Sequence, residues 1–132
     1  MKLTYQTTLD LGNAENERIL FNVTSACNLG NFLIAMARKI DQNNVSSKIE
    51  SPFWLNDAEL KEGDLVVIYT TRKDTGVKTL LNKSGSTSFF VFWNLDKTLK
   101  EQSDFSFVLF DTEWRTFGNP SNNTNEGNPK QI

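Results

Sequence analysis

Few side chains in this 132-residue sequence are suited to catalysis. The chain contains no histidine and a single cysteine, Cys27. Because histidine is the usual general base near neutral pH, histidine-dependent catalytic triads are excluded, and one cysteine is too few for a structural zinc site. The stretch 82–88, NKSGSTS, lacks the spacing of a phosphate-binding loop. We therefore expect no enzyme activity, no cofactor and no metal, and we expect Cys27 to be a small buried residue.

Four carboxylates around one turn are the remaining candidates for chemistry. They are Asp57, Glu59, Glu62 and Asp64. Several oxygen ligands can bind calcium, and a carboxylate pair can cleave a glycoside where a groove encloses the sugar. The spacing of these residues matches no known calcium loop, and a domain of this size rarely forms such a groove. The pattern therefore favours a solvated acidic turn.

Basic residues flank a predicted hairpin and indicate an alternative function. They are Arg72, Lys73, Lys78 and Lys83. Cations on a hairpin can contact phosphates and enter a nucleic-acid groove. However, Asp74 interrupts the group, and lysines at a sheet edge commonly block aggregation. The net charge of -2 gives no general attraction to nucleic acid or anionic membranes. Nucleic-acid binding through the basic 72–83 hairpin is therefore the second hypothesis.

Aromatic residues supply a candidate interface. The candidates for it are Trp54, Phe90, Trp93 and Trp114. Exposed together, such rings would suit a protein partner or stacked bases, whereas the alternative is that they fill a core. The stretch 89–93, FFVFW, must have both faces covered. If the fold leaves one face open, an interface between copies of the chain would cover it.

Turn signals divide most of the chain into short segments with the pattern of strands. The continuous apolar run 65–69, directly behind Gly63, predicts a central strand covered on both faces, which is scaffold rather than a site. The turn 74–76 predicts a hairpin to a return strand at 77–81. The spacing in 28–40 fits a helix or a buried strand, and its neighbours favour a strand with a helical turn near its end. We predict an all-β, immunoglobulin-like antiparallel sandwich of seven to nine short strands.

The ends of the chain differ in composition from its centre. Residues 118–132 hold two Gly-Asn-Pro triplets and almost no apolar side chain, which predicts a flexible tail after a single domain at 1–117. The first residues have no apolar stretch of signal-peptide length, and no run approaches the roughly 20 apolar residues of a membrane span. We expect a cytoplasmic protein that does not bind membranes.

Four packing motifs occur in a characteristic order. An alternating strand, ERILFNV, is followed by NLGNFLI, by FWLNDAELKEGDLVVIY and by FSFVLFD. The residues that carry the pattern are Leu29, Phe32, Ile34, Phe53, Leu60, Gly63, Val66, Val67, Ile68, Leu109 and Asp111. In this order, over about residues 17–111, the chain resembles the lamin-tail domain, an immunoglobulin-like sandwich of nuclear lamins and many bacterial proteins. It departs from that family at Phe32, where tryptophan is common, and in longer segments at 37–52 and 72–88.

The resemblance implies a module for binding or anchoring, because the lamin-tail family has no catalytic residues to carry over. The residues themselves also favour a binding module, because catalytic groups are missing and the apolar strands exceed what one core needs. The first functional hypothesis is therefore a non-catalytic protein-interaction or anchoring module that associates with a protein partner or with itself.

Overall fold

The computed structural model describes residues 1–118, which form ten strands and two short 3₁₀ turns. The strands are β1 (Leu3–Leu9), β2 (Arg18–Val23), β3 (Cys27–Asn28), β4 (Phe32–Lys39), β5 (Val45–Trp54), β6 (Glu59–Leu60), β7 (Leu65–Tyr69), β8 (Lys78–Leu81), β9 (Thr87–Phe92) and β10 (Phe105–Asp111). The all-β prediction is confirmed. Two strands, β3 and β6, are only two residues long, which raises the number above the predicted seven to nine.

The strands form two stacked sheets and a short ribbon. The larger sheet has the order β1-β2-β7-β9-β8, the smaller has the order β10-β4-β5, and β3 pairs with β6. Neighbouring strands run antiparallel, as predicted, except that β7 and β9 are parallel. The fold is therefore a sandwich-like arrangement with one parallel pair in its larger sheet.

The predicted hairpin between 65–69 and 77–81 is wrong. The return strand exists as β8, but it pairs with β9 and lies outside it. The connecting segment 70–77 passes the end of β9, where the Asp74 N–H donates to Oδ1 of Asn94 at 3.1 Å. This contact holds the turn residues 74–76 in a longer connection instead of the predicted hairpin.

One apolar core lies between the two sheets. Inward positions of β2, β4 and β7 supply most of its fully buried side chains, in the alternation expected for half-buried strands. They are Ile19, Phe21, Val23, Phe32, Ile34, Met36, Val66 and Ile68. Val67 points to the other side of β7 and is also buried, which confirms the prediction of a central strand covered on both faces. Burial of each such side chain contributes roughly 1.5–3 kcal/mol.

Other segments have the predicted type of structure but begin or end at different residues. The strand predicted within 28–40 is confirmed. Its helical turn lies at the beginning of the segment and not near its end, as a 3₁₀ turn over Leu29–Asn31. The turn forms there because the Asn28 side chain accepts a hydrogen bond from the Gly30 N–H. Strand β5 begins at Val45 and continues through Pro52 to Trp54. Residues 113–117 form no strand.

The remaining sequence predictions concern features that lie outside these strands. The flexible tail predicted for 118–132 lies, after Gly118, outside the described residues and stays a prediction. Within residues 1–118 no helix is both long and apolar enough to span a membrane. The cytoplasmic location is likewise still a prediction.

Candidate functional site

The most deeply buried carboxylate, Glu17, joins three loops. One carboxylate oxygen accepts from the Gly12 N–H at 2.7 Å, and the other accepts from the Leu99 N–H at 2.7 Å and from the Thr70 hydroxyl. Both oxygens are therefore occupied by the chain itself, as a buried charge requires. Glu17 holds the loops at the ends of β1, β7 and β9 together, and this makes it a structural residue.

The four carboxylates of the acidic turn do not converge. Asp64 is buried, and its carboxylate accepts from the N–H groups of Lys61 and Thr87 at 2.9 Å each, so it closes the turn and ties it to β9. Glu59 and Glu62 are exposed. Within residues 1–118 no group of three or more acidic, histidine or cysteine side chains is arranged to hold a metal ion.

Cys27 is half-buried at the margin of the core, rather than buried as predicted. Burial is the main cause that raises the pKa of its thiol, against a smaller lowering by Lys2. A raised pKa keeps the thiol protonated and therefore unreactive at neutral pH. This environment is that of a packing residue.

The basic residues are spread along the outer side of the larger sheet, and three of them have partners within the chain. Arg72 lies 4.0 Å from Glu15, and Lys78 lies 3.6 Å from Asp74. Lys73 donates to the carbonyl of Leu95 and lies 3.6 Å from Asp96. Lys83 stands apart and exposed in the turn between β8 and β9. Because carboxylates accompany three of the four cations, their combined field is weak.

Aromatic rings cover the outer face of the larger sheet. Tyr69 stacks on Phe92 with a centroid distance of 5.5 Å and lies 6.3 Å from Phe90. The Arg72 guanidinium stands 4.8 Å above the Tyr69 ring, and the Lys78 ammonium stands 5.8 Å from the Phe92 centroid. The long stems of these cations shield the rings from water. The part of this face on β7 and β9 is therefore largely covered by its own side chains, whereas Leu80 on β8 is 58% exposed.

The outer face of the smaller sheet carries exposed apolar side chains, although Ala35 and Ala37 in its middle are fully buried. Five side chains on outward strand positions and one from the segment after β10 form it, and none belongs to the core cluster. We call it the tryptophan face; its residues are Leu33, Ile49, Trp54, Val108, Phe110 and Trp114. The most exposed members range from Phe110 at 38% to Trp114 at 53% of full exposure. Exposed aromatics in one group are typical of an interaction surface.

The two tryptophans of this face fix each other in place. The Trp54 ring meets the Trp114 ring edge-on, with centroids 4.4 Å apart and an interplanar angle of 89°. The Trp54 indole N–H also donates to the carbonyl of Gly30 at 2.6 Å. Two rigid rings that are already oriented lose little conformational entropy on binding a partner.

The four predicted interface aromatics therefore separate into three places. Trp54 and Trp114 come together on the tryptophan face, while Phe90 lies on the outer face of the larger sheet. Trp93 is buried and its indole N–H donates to the carbonyl of Ser51 at 2.8 Å, which makes it a core residue. Phe110 was not among the predicted interface residues. Alternation along β10 could have identified it, because its neighbour Leu109 points inward and Phe110 therefore points outward.

No protein-family model matches the chain, and no curated protein matches it either.

Proposed function

We propose that this chain is a non-catalytic interaction module that associates with a second copy of itself through the tryptophan face. The observation that supports the proposal is the group of large apolar side chains left open on the smaller sheet. The core already holds its own set of apolar residues, so these outer side chains are surplus to folding. A non-catalytic binding or anchoring role is also what the resemblance to the lamin-tail domain implies.

The charge pattern favours a second copy as the occupant. The outward positions of β4 from 33 to 37 and of β10 from 106 to 110 are Leu, Ala, Ala, Ser, Val and Phe; the two alanines are fully buried, and the first charge along this side of β4 is Lys39. An uncharged face can pair with its own copy across a two-fold axis without like-charge repulsion. A single sheet face is small for an interface, so we expect a dimer that dissociates in the micromolar range.

Sedimentation velocity over a dilution series tests this proposal. The wild-type chain should shift from dimer to monomer on dilution, and Phe110→Lys should be monomeric throughout, because it places two charges in the interface. Leu80→Lys is the matched control, since Leu80 is exposed on β8 of the other sheet. A wild-type chain that stays monomeric at every concentration would refute the proposal.

Nucleic-acid binding is the second candidate, and the arrangement supports it less. In its favour, Arg72 and Lys78 lie beside aromatic rings on a sheet, which is how single strands are often bound. Against it, the carboxylates of Glu15 and Asp74 accompany both cations. If this function is correct, single-stranded DNA binds with a steep salt dependence, and the double variant Arg72→Glu, Lys73→Glu abolishes binding. Absence of binding at low salt would end this hypothesis.

A further inference from the structure

A cleft of about 590 Å³ lies between the edges of the two sheets. It runs between β1 and β10, whose outer edges have no neighbouring strand among residues 1–118. Its apolar wall consists of Tyr5, Leu11, Leu99, Phe105 and Phe107. The Tyr5 ring packs 5.6 Å from the Phe107 ring, so the aromatic part of the wall is preformed. This size falls within the range of small-molecule sites, which are mostly apolar with a few polar groups.

Two lysines provide charge at this cleft. Lys39 and Lys100 both line it, and neither ammonium lies within 4.0 Å of a carboxylate of residues 1–118. The nearby acidic residues have other partners, since Asp10 pairs with Arg18. Asp104 likewise lies 4.0 Å from Arg38. Positive charge beside an apolar wall is the chemistry that recognises an anion with a hydrocarbon body.

The turn that carries Lys100 is held in place on both sides. Thr98 and Glu101 form a capping box, in which the Thr98 N–H donates to the Glu101 carboxylate at 2.9 Å and the Glu101 N–H donates to the Thr98 hydroxyl at 3.2 Å. These hydrogen bonds lower the pKa of Glu101. The Lys100 stem packs against Gly12, where a Cβ would lie 2.8 Å from the Lys100 Cδ. The backbone of the turn that carries Lys100 is therefore fixed beside the cleft.

We propose that this cleft binds a free single-chain carboxylate, with the alkyl chain on the aromatic wall and the carboxylate between Lys39 and Lys100. The proposal does not require the self-association proposed above, because none of the six residues of the tryptophan face lines the cleft, although Ser106 of β10 adjoins both surfaces. Burying the exposed surface of Tyr5 and Leu11 supplies the apolar contribution to affinity. The two ammonium groups supply specificity for the anion.

Calorimetry with decanoate as the probe tests the proposal on the full chain. Decanoate should bind, decanol and decyltrimethylammonium should bind at least tenfold more weakly, and acetate should not bind. Lys39→Gln and Lys100→Gln should each raise the Kd about tenfold, the loss of one charge-assisted hydrogen bond. Equal binding of decanoate and decanol would overturn the proposal, and so would the absence of any binding. Preferential binding to anionic phospholipid vesicles over free decanoate would also overturn it.

A matched pair of variants locates the ligand. Leu11→Glu places a negative charge in the cleft and should abolish decanoate binding without unfolding the chain, because Leu11 is 56% exposed. Leu80→Glu, at a leucine that is 58% exposed on β8, should leave binding unchanged. Near-identical thermal unfolding curves of the two variants confirm that both fold. If Trp114→Ala abolishes binding and Leu11→Glu does not, the ligand occupies the tryptophan face and the proposal is wrong.

Discussion

Replacement of Glu17 by alanine should lower the free energy of unfolding by about 4 kcal/mol, a large part of the stability of a domain of this size. The substitution removes the acceptor of three donors, the N–H groups of Gly12 and Leu99 and the hydroxyl of Thr70. The N–H groups of Gly12 and Leu99 each lose this acceptor, at a cost of about 1–3 kcal/mol, whereas the Thr70 hydroxyl keeps the Glu17 backbone carbonyl, 3.3 Å away, as an acceptor. Urea denaturation measures the loss as a lower midpoint at an unchanged slope.

Two variants separate this effect from a general loss of charge. Glu15→Ala removes an exposed carboxylate from the same loop, 4.0 Å from Arg72, and should change stability by less than about 0.5 kcal/mol. Glu17→Gln keeps one acceptor oxygen and should fall between the wild type and Glu17→Ala. A loss below about 1 kcal/mol for Glu17→Ala would show that the three loops do not depend on this carboxylate.

The strands were predictable where side-chain alternation matched a buried face. In β2 and β10 the inward residues are those that the sequence places on one side, and the apolar run of β7 lies at the centre of its sheet as predicted. Alternation of apolar and polar residues along a strand indicates which side chains are buried, because one face of the strand meets the core and the other meets water.

The pairing of strands was not predictable from the same signal. The turn residues 74–76 have the composition of a hairpin, yet the chain places β9 and not β8 beside β7. The reason lies in the residues of the competing strands. The stretch 89–93 is apolar on both sides and needs an inner position, whereas β8, with all four residues exposed, tolerates an edge. Burial of whole strands therefore overrides a local turn preference.

The candidate interface depends on contacts that are distant in sequence. Trp54 and Trp114 meet because the segment after β10 passes the start of β4, where the Thr112 N–H donates to the carbonyl of Asn31, and alternation cannot give this path. The strand order carries Phe90 to the other sheet and Trp93 into the core. The sequence therefore predicted aromatic residues for the candidate interface, but which of them share one face depends on the topology.

Replacement of Trp114 by alanine should raise the dissociation constant of the proposed dimer by about a thousandfold. A central aromatic contributes about 2 kcal/mol to an interface, and a two-fold dimer loses two copies at once, or about 4 kcal/mol. The ring is 53% exposed in the monomer and packs chiefly on Trp54, so its removal exposes little of the core and should not unfold the chain. Light scattering over a concentration series would show the variant as a monomer.

The control for this prediction is the truncation of an exposed apolar side chain on the other sheet. Leu81→Ala removes an exposed leucine from β8 on the larger sheet and should leave the dissociation constant within about threefold of the wild type. The monomers of both variants should unfold at the temperature of the wild-type monomer, because neither side chain belongs to the core cluster. If Trp114→Ala dimerises as tightly as the wild type while Phe110→Lys does not, the interface excludes the tryptophan pair and is centred on β10.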